Sequence, residues 1–180
     1  MEAIKLNKLV DEELQQHHEK VAELSFLISK EMQLDNNVCN KIYAAALEHD
    51  LGKIFLNQEV LNKPRKLNKK EYEYIKNHVL LSVSYLNSKK TDIDTVKYVL
   101  YHHENYDGTG YPVGLKGSKI PLGARILRIA DTFAALTVDR VYRKKLSIKK
   151  ALSIMDSEKK FYDLEIYSLF KKIIKNKEVL

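Results

Sequence analysis

The sequence predicts an all-α fold, one domain built as a bundle of about six to eight helices, and three observations predict it. The first is composition: the 180 residues are rich in Lys, Leu, Ile, Glu and Tyr, with six glycines, three prolines and no tryptophan. The second is periodicity, because apolar residues recur at spacings of three, four and seven along most of the chain, the repeat of a helix with one buried face. The third is the placing of the breakers. Most glycines fall between Gly108 and Gly123, and the prolines are Pro64, Pro112 and Pro121. Irregular backbone is therefore expected chiefly at about residues 51–68 and 104–121. A chain of this length suits a single continuous core.

The first helix is expected from about Leu9 to Met32, with Val10, Leu14, Val21, Leu24 and Ile28 on one stripe. Glu13 and His17 lie four apart and share a face beside that stripe; taken alone they read as an ordinary exposed pair. Asp35, Asn36 and Asn37 break the pattern and can cap a second helix. That helix buries Val38, Ile42, Tyr43, Ala46 and Leu47 and runs into His49-Asp50, before Leu51-Gly52-Lys53 ends it. A connector containing Pro64 follows. Asn68 and Glu71 then have capping-box spacing for a third helix over about Lys69–Asn87, with Tyr72, Ile75, Val79, Ser82, Tyr85 and Leu86 inward and His78 on or beside the same face. Thr91 and Asp92 can cap a fourth helix, which carries Ile93, Val96, Val99 and Leu100 into His102-His103.

Pro121 suits the first turn of a fifth helix, whose apolar face of Leu122, Ile126, Ile129, Ala130 and Phe133 includes an acid, Asp131. Ser147 caps a sixth helix, and a last helical segment completes the core. The formal charge of +7 comes from lysines interleaved with Glu over helix faces, which reads as a solvated surface that favours a small anion rather than duplex nucleic acid. No apolar run is long enough to span a bilayer, and the N-terminus lacks a signal-peptide core. The single cysteine, Cys39, cannot form an internal disulfide and falls in an apolar pattern. A cytoplasmic protein is the expectation.

The chemistry concentrates in the run His102–Pro112, HHENYDGTGYP. Adjacent helix side chains point about 100° apart, so His102 and His103 can reach one site only where the helix ends. The glycines after them let the chain bend back over that site. A buried His-Asp doublet at a helix end, His49-Asp50, and an acid within an apolar stripe, Asp131, are costly unless paired. A metal ion answers both costs, and Asp50 can bridge two ions. Lys53, one turn beyond His49, can neutralise a bound phosphate or serve as a helix C-terminal cation.

The His-His-Glu-x-x-Asp-Gly-x-Gly-Tyr-Pro run, the HDLGK segment, LNKPRKLNKKEYEYIKNH and GLKGSKIPLGARILRIADTFAALTVDRVYRKKLS together resemble the HD-GYP phosphohydrolases of the HD superfamily over about residues 13–170. The resemblance implies a single HD-GYP domain across 1–180 without a separate sensory domain. It implies the metal ligands Glu13, His17, His49, Asp50, His78, His102, His103 and Asp131. Substrate contacts would come from Lys53, Tyr111, Arg140 and Arg143, with Tyr142 beside them, and Asp50 and Lys53 would be central to catalysis. His18, one residue off the Glu13–His17 register, would lie behind the ligands or in solvent.

Imidazole and carboxylate ligands without cysteine suit Fe or Mn better than a structural zinc. Two ions are the minimum for so many ligands, and Glu13 stands where the family's third-metal ligand stands, so a trinuclear site is expected. Such ions would turn water into hydroxide near neutral pH and clamp the phosphoryl oxygens. The implied reaction is hydrolysis of cyclic di-GMP to pGpG, GMP or both, with diguanylate cyclase domains as a possible partner. Alternatives are an HD phosphohydrolase acting on a hybrid cyclic dinucleotide, a linear dinucleotide or a guanosine polyphosphate, or a non-catalytic module that binds cyclic di-GMP or a cyclase. Two departures from the family pattern are Arg65, where glycine is usual, and Ala134, where a second Asp is common. Ala134 is expected to weaken the support around Asp131.

Overall fold

The computed structural model describes residues 2–63, 65–139 and 144–177, with only the helical backbone described for 2–13 and 177. Among these residues there is no strand. The helices are α1 (Glu2–Glu31), α2 (Asn36–Glu48), the single turn α3 (Gln58–Leu61), α4 (Lys69–Lys76), α5 (His78–Ser88), α6 (Ile93–Tyr101), α7 (Leu122–Thr137), α8 (Ile148–Ser157) and α9 (Leu164–Lys177). Short 3-10 turns lie at Leu51–Phe55, Gly117–Lys119 and Lys159–Phe161.

Local hydrogen bonding sets most of the starts. Asp35 accepts from Asn37 N–H, Asp92 from Asp94 and Thr95, and Ser147 from Lys150. Asn68 and Glu71 form the reciprocal capping box, each side chain accepting the other's backbone N–H. Pro121 occupies the capping position before α7 rather than its first turn.

The axis of the bundle is α7, which packs on α1, α2, α6, α8 and α9. Its buried Ile126, Leu127, Ile129, Ala130 and Phe133 meet Val21, Leu24 and Ile28 of α1, Val96 and Val99 of α6, and Ile166, Tyr167 and Phe170 of α9 in one apolar cluster. Cys39 is fully buried. No helix is long and apolar enough to cross a membrane among the described residues.

Three expectations change. The first helix starts at Glu2 rather than near Leu9. The third helix is two helices, because the Asn77 side chain donates to Tyr74 O and its backbone N–H turns to the same carbonyl, drawing the chain out of the α repeat. Spacing also placed Tyr72 and Tyr43 inward, whereas they are 50% and 40% exposed.

Candidate metal centre

The predicted ligands lie on the sides of two long helices and at the ends of three others. His17 lies on the inner side of α1 and Asp131 on that of α7. His49 caps the C-terminus of α2 and Asp50 follows it, His78 opens α5, and His102 caps the end of α6. Two close approaches hold these ends together. A Cβ at Gly52 would lie 1.9 Å from His78 O, so only glycine lets the turn after Asp50 lie against the start of α5. Ser82 then bridges the two, accepting from Gly52 N–H at 2.7 Å and donating to His49 O at 3.2 Å.

Donor atoms of Asp50, His78, His102 and His103 lie within 4.8 Å of one another, and so do those of His17, His49 and Asp50. Asp50 belongs to both groups. Asp131 Oδ1 lies 3.2 Å from His17 Nε2 and 3.9 Å from His49 Nε2, which puts it with the second group. The helix end lets adjacent residues serve one place: the His102 and His103 ring centroids are 3.9 Å apart. Glu13 falls one turn before His17 on α1, but its side chain lies outside the described residues, as do Arg140, Tyr142 and Arg143.

The hydrogen bonds of the imidazoles fix their proton positions. Nδ1 of His49, His78 and His102 donates to the carbonyl three residues earlier, of Ala46, Ile75 and Val99, at 2.7, 2.7 and 2.6 Å. A carbonyl only accepts, so a proton is assigned to Nδ1 of each, and in its neutral form the ring turns a bare Nε2 lone pair inward. Nε2 of His17, His49, His78 and His102 is buried without a hydrogen-bond partner, as is Asp50 Oδ1. His78 Nε2 and Asp50 Oδ1, two acceptors, face each other at 3.2 Å. Left so, the four imidazole nitrogens cost on the order of 4–12 kcal/mol at about 1–3 each, comparable with the whole stability of a domain, about 5–15 kcal/mol. A cation between them removes that cost.

The electrostatics suit the same cation. Burial pushes the Asp50 carboxyl upward, but Lys53 and His49 outweigh it and hold Asp50 well below the usual carboxylate range. The Asp131 carboxyl is also held low against burial, by His17 and His49. Burial, helped by His49 and His78, pushes His102 down to about 3, and burial with His102 holds His103 well below its ordinary value. His49 goes the other way: burial lowers it, but the Asp50 and Asp131 charges raise it on balance. Ionised acids beside mostly neutral imidazoles are the states that bind a divalent ion. The residues present fit such a group.

Lys53 makes an ion pair with Asp50 Oδ2 at the floor of the site. The Tyr111 ring stacks on His103, 4.7 Å between centroids, and burial raises its phenol above the ordinary range. Spacing gave no role to Glu104, which is 1% exposed. Its carboxylate accepts the backbone N–H groups of Val113, Gly114 and Leu115 and ties down the loop that carries Tyr111. The signal was present, since Glu104 stands inside the His-His-Glu run. Gly110 lies where a Cβ would sit 2.2 Å from Asn105 N, which folds the loop flat on the end of α6. Arg128 was also missed: it donates to Asn105 Oδ1 at 3.0 Å and joins α7 to the loop. His18 sits behind the ligands, its ring 5.1 Å from that of His49. Ala134 packs in the apolar cluster with no exposure.

The HD domain family model matches residues 3–166. The chain belongs to the HD domain family. Among curated proteins it is 41% identical over 143 residues to the 3'3'-cGAMP-specific phosphodiesterase 1 of Vibrio cholerae serotype O1, covering 79% of this chain and 33% of that protein. It is 34% identical over 173 residues to a cyclic di-GMP phosphodiesterase of Thermotoga maritima, covering 94% and 47%. The chain thus spans about a third to a half of the length of these relatives. Among solved structures, Bd1817 of Bdellovibrio bacteriovorus, a HDG"Y"P protein, superposes with a TM-score of 0.73 at 18% identity over 90% of this chain and 52% of that one. A cyclic GMP-AMP specific phosphodiesterase of V. cholerae gives 0.68 at 16%, over 91% and 46%. At these identities the superpositions speak to the fold alone.

Proposed function

We propose that this chain is a metal-dependent phosphodiesterase that hydrolyses a cyclic dinucleotide, with cyclic di-GMP as substrate and pGpG, GMP or both as product. The observation that carries this reading is the pair of donor groups sharing Asp50, with inward lone pairs and no other partner for them. Two or three divalent ions, Fe or Mn, would supply a Lewis-acidic clamp on the phosphoryl oxygens and a source of hydroxide near neutral pH. His17, His49 and Asp131 would hold one side, with Glu13 as the further ligand for a third ion; His78, His102 and His103 would hold the other, and Asp50 would bridge.

The remaining roles belong to the chain's own groups. Lys53, leaning on Asp50, offers its ammonium to a non-bridging phosphate oxygen. Tyr111, held by its loop, walls the cleft against water, and Arg140 and Arg143 are further phosphate contacts. A cyclic dinucleotide implies a cytoplasmic setting, in the company of diguanylate cyclase domains. A second reading, 3'3'-cGAMP as the substrate, is favoured by the 41% identical relative named for that specificity.

Both readings are tested by chromatography of products from cyclic di-GMP and 3'3'-cGAMP after anaerobic loading with iron or manganese. Cleavage of either by the native chain, abolished in Asp50→Ala, is expected. Tight binding without cleavage would instead support the non-catalytic module.

A further inference from the structure

The Tyr111 ring has a neighbour that the ligand set does not need. Besides stacking on His103, it carries the Lys76 ammonium 5.1 Å from its centroid. The same ammonium lies 5.0 Å from the centroid of Tyr72, one turn earlier on α4. A chain of contacts therefore runs from Lys76 through Tyr111 and His103 to His78, whose ring lies 5.1 Å from that of His103. The break at Asn77 makes this possible. It ends α4 at Lys76 and starts α5 at His78, so a rim cation and an inner imidazole reach one cleft from consecutive helices.

A cyclic dinucleotide carries two phosphodiesters, and only one can sit on the donor atoms. Lys53 is already engaged with Asp50 beside them, so a cation farther out is the group placed to meet the other phosphate. Lys76 is 26% exposed, and its ion-pair partner is Glu73, three residues earlier and 56% exposed, at 2.8 Å. A surface pair of that kind is weak and readily exchanged for a phosphate. Two ring faces already restrict the ammonium, so little further ordering is lost when an anion binds, and its outer N–H groups stay available. Tyr72, half exposed, presents a ring face beside it.

We propose that Lys76, seated between the Tyr72 and Tyr111 rings, binds the phosphate of a cyclic dinucleotide that is not being cut, with Tyr72 offered to a base. This rests on the cyclic dinucleotide reading above. The alternative, that Lys76 only spaces the two rings, makes no distinction between substrates with one phosphate and with two.

The test compares the native chain with Lys76→Met, Lys76→Arg and Lys89→Met, the last removing an ammonium that lies over Tyr85 instead. KM and kcat, or Kd where there is no turnover, are measured with cyclic di-GMP and with bis(4-nitrophenyl) phosphate, which has one phosphate; metal content is measured alongside. For cyclic di-GMP, Lys76→Met is expected to raise KM or Kd about tenfold, with kcat changed by less than about twofold. Lys76→Arg recovers most of the loss and Lys89→Met shows none. An equal rise on both diesters, no rise on cyclic di-GMP, or loss of metal from Lys76→Met overturns the proposal. Absence of turnover by the native chain counts against the proposed reaction instead, and the Kd ratio still decides the role of Lys76.

Discussion

His102 shows at the scale of one residue how this site is prepared. Its Nδ1–H is spent on Val99 O, its ring is fully buried, and its Nε2 lone pair has no partner. His49 and His78 repeat the arrangement three residues after their own carbonyl acceptors. The sequence shows which histidines stand at helix ends, but not that each ring is locked by its own helix, because that depends on a rotamer. Two supporting side chains make predictions here. Ser82→Ala leaves Gly52 N–H without its acceptor in a buried place, and should cost about 1–3 kcal/mol in denaturant unfolding. Glu104→Gln keeps the size but removes the charge that gathers three loop N–H groups. It should lower kcat about tenfold while metal content stays at the native level, and a fall in both would move Glu104 from loop anchor to ligand support.

Elements were legible to different degrees, for physical reasons. Caps are local hydrogen bonds, so Asp35, Asp92, Ser147 and the Asn68–Glu71 box could be read directly and stand as expected. The break at Asn77 was not readable from periodicity, since an asparagine in mid-helix declares itself only by which carbonyl its side chain takes. Tyr72 was placed inward because spacing gives a face but not what lies opposite it. The candidate ligands could be read from the motif run and the His-Asp doublet. Glu104 stands in the same run, but its role could not be read there, nor could that of Arg128 or the approach of Lys76 to Tyr111, because those partners lie on the loop. The approach of the turn at Gly52 to α5 makes the prediction at this scale. Gly52→Ala drives a methyl into His78 O, so the turn and α5 must separate, with a loss of about 3 kcal/mol in thermal or denaturant unfolding. A variant as stable as the native chain would mean that the two elements are not tightly apposed.

For the whole molecule, folding and ion binding are one equilibrium. The inward donors come from α1, α2, α5, α6 and α7, the helices that enclose the core, so an ion bound among them ties the bundle together. Chelation should lower Tm by on the order of 5–10 °C, since ligand at a hundred times its Kd adds about 2.7 kcal/mol. The chelated protein should also be sensitive to acid. His102 and His103 have folded values below 6.5, His102 at about 3, so the unfolded chain takes up protons there that the folded chain does not. Stability is then lost as pH falls below about 6.5. His49 acts outside this window, because its raised folded value contributes stability that is full below about 6.5 and disappears only as pH rises through the folded value. With three lowered imidazoles, His18, His102 and His103, Tm of the chelated protein should fall between pH 6.5 and 4, and a flat profile would contradict these assignments. Ions bound to the same nitrogens suppress the effect, so the loaded protein should resist acid over that range.

The most direct measurement is the metal content of anaerobically purified protein, native and Asp50→Ala, by elemental analysis. With Asp50 shared between two groups of donors, the native chain should carry about two or more divalent ions and Asp50→Ala less than about one, with its fold retained by circular dichroism. A native chain with no bound divalent ion, or an Asp50→Ala chain that keeps the native stoichiometry, would contradict the account.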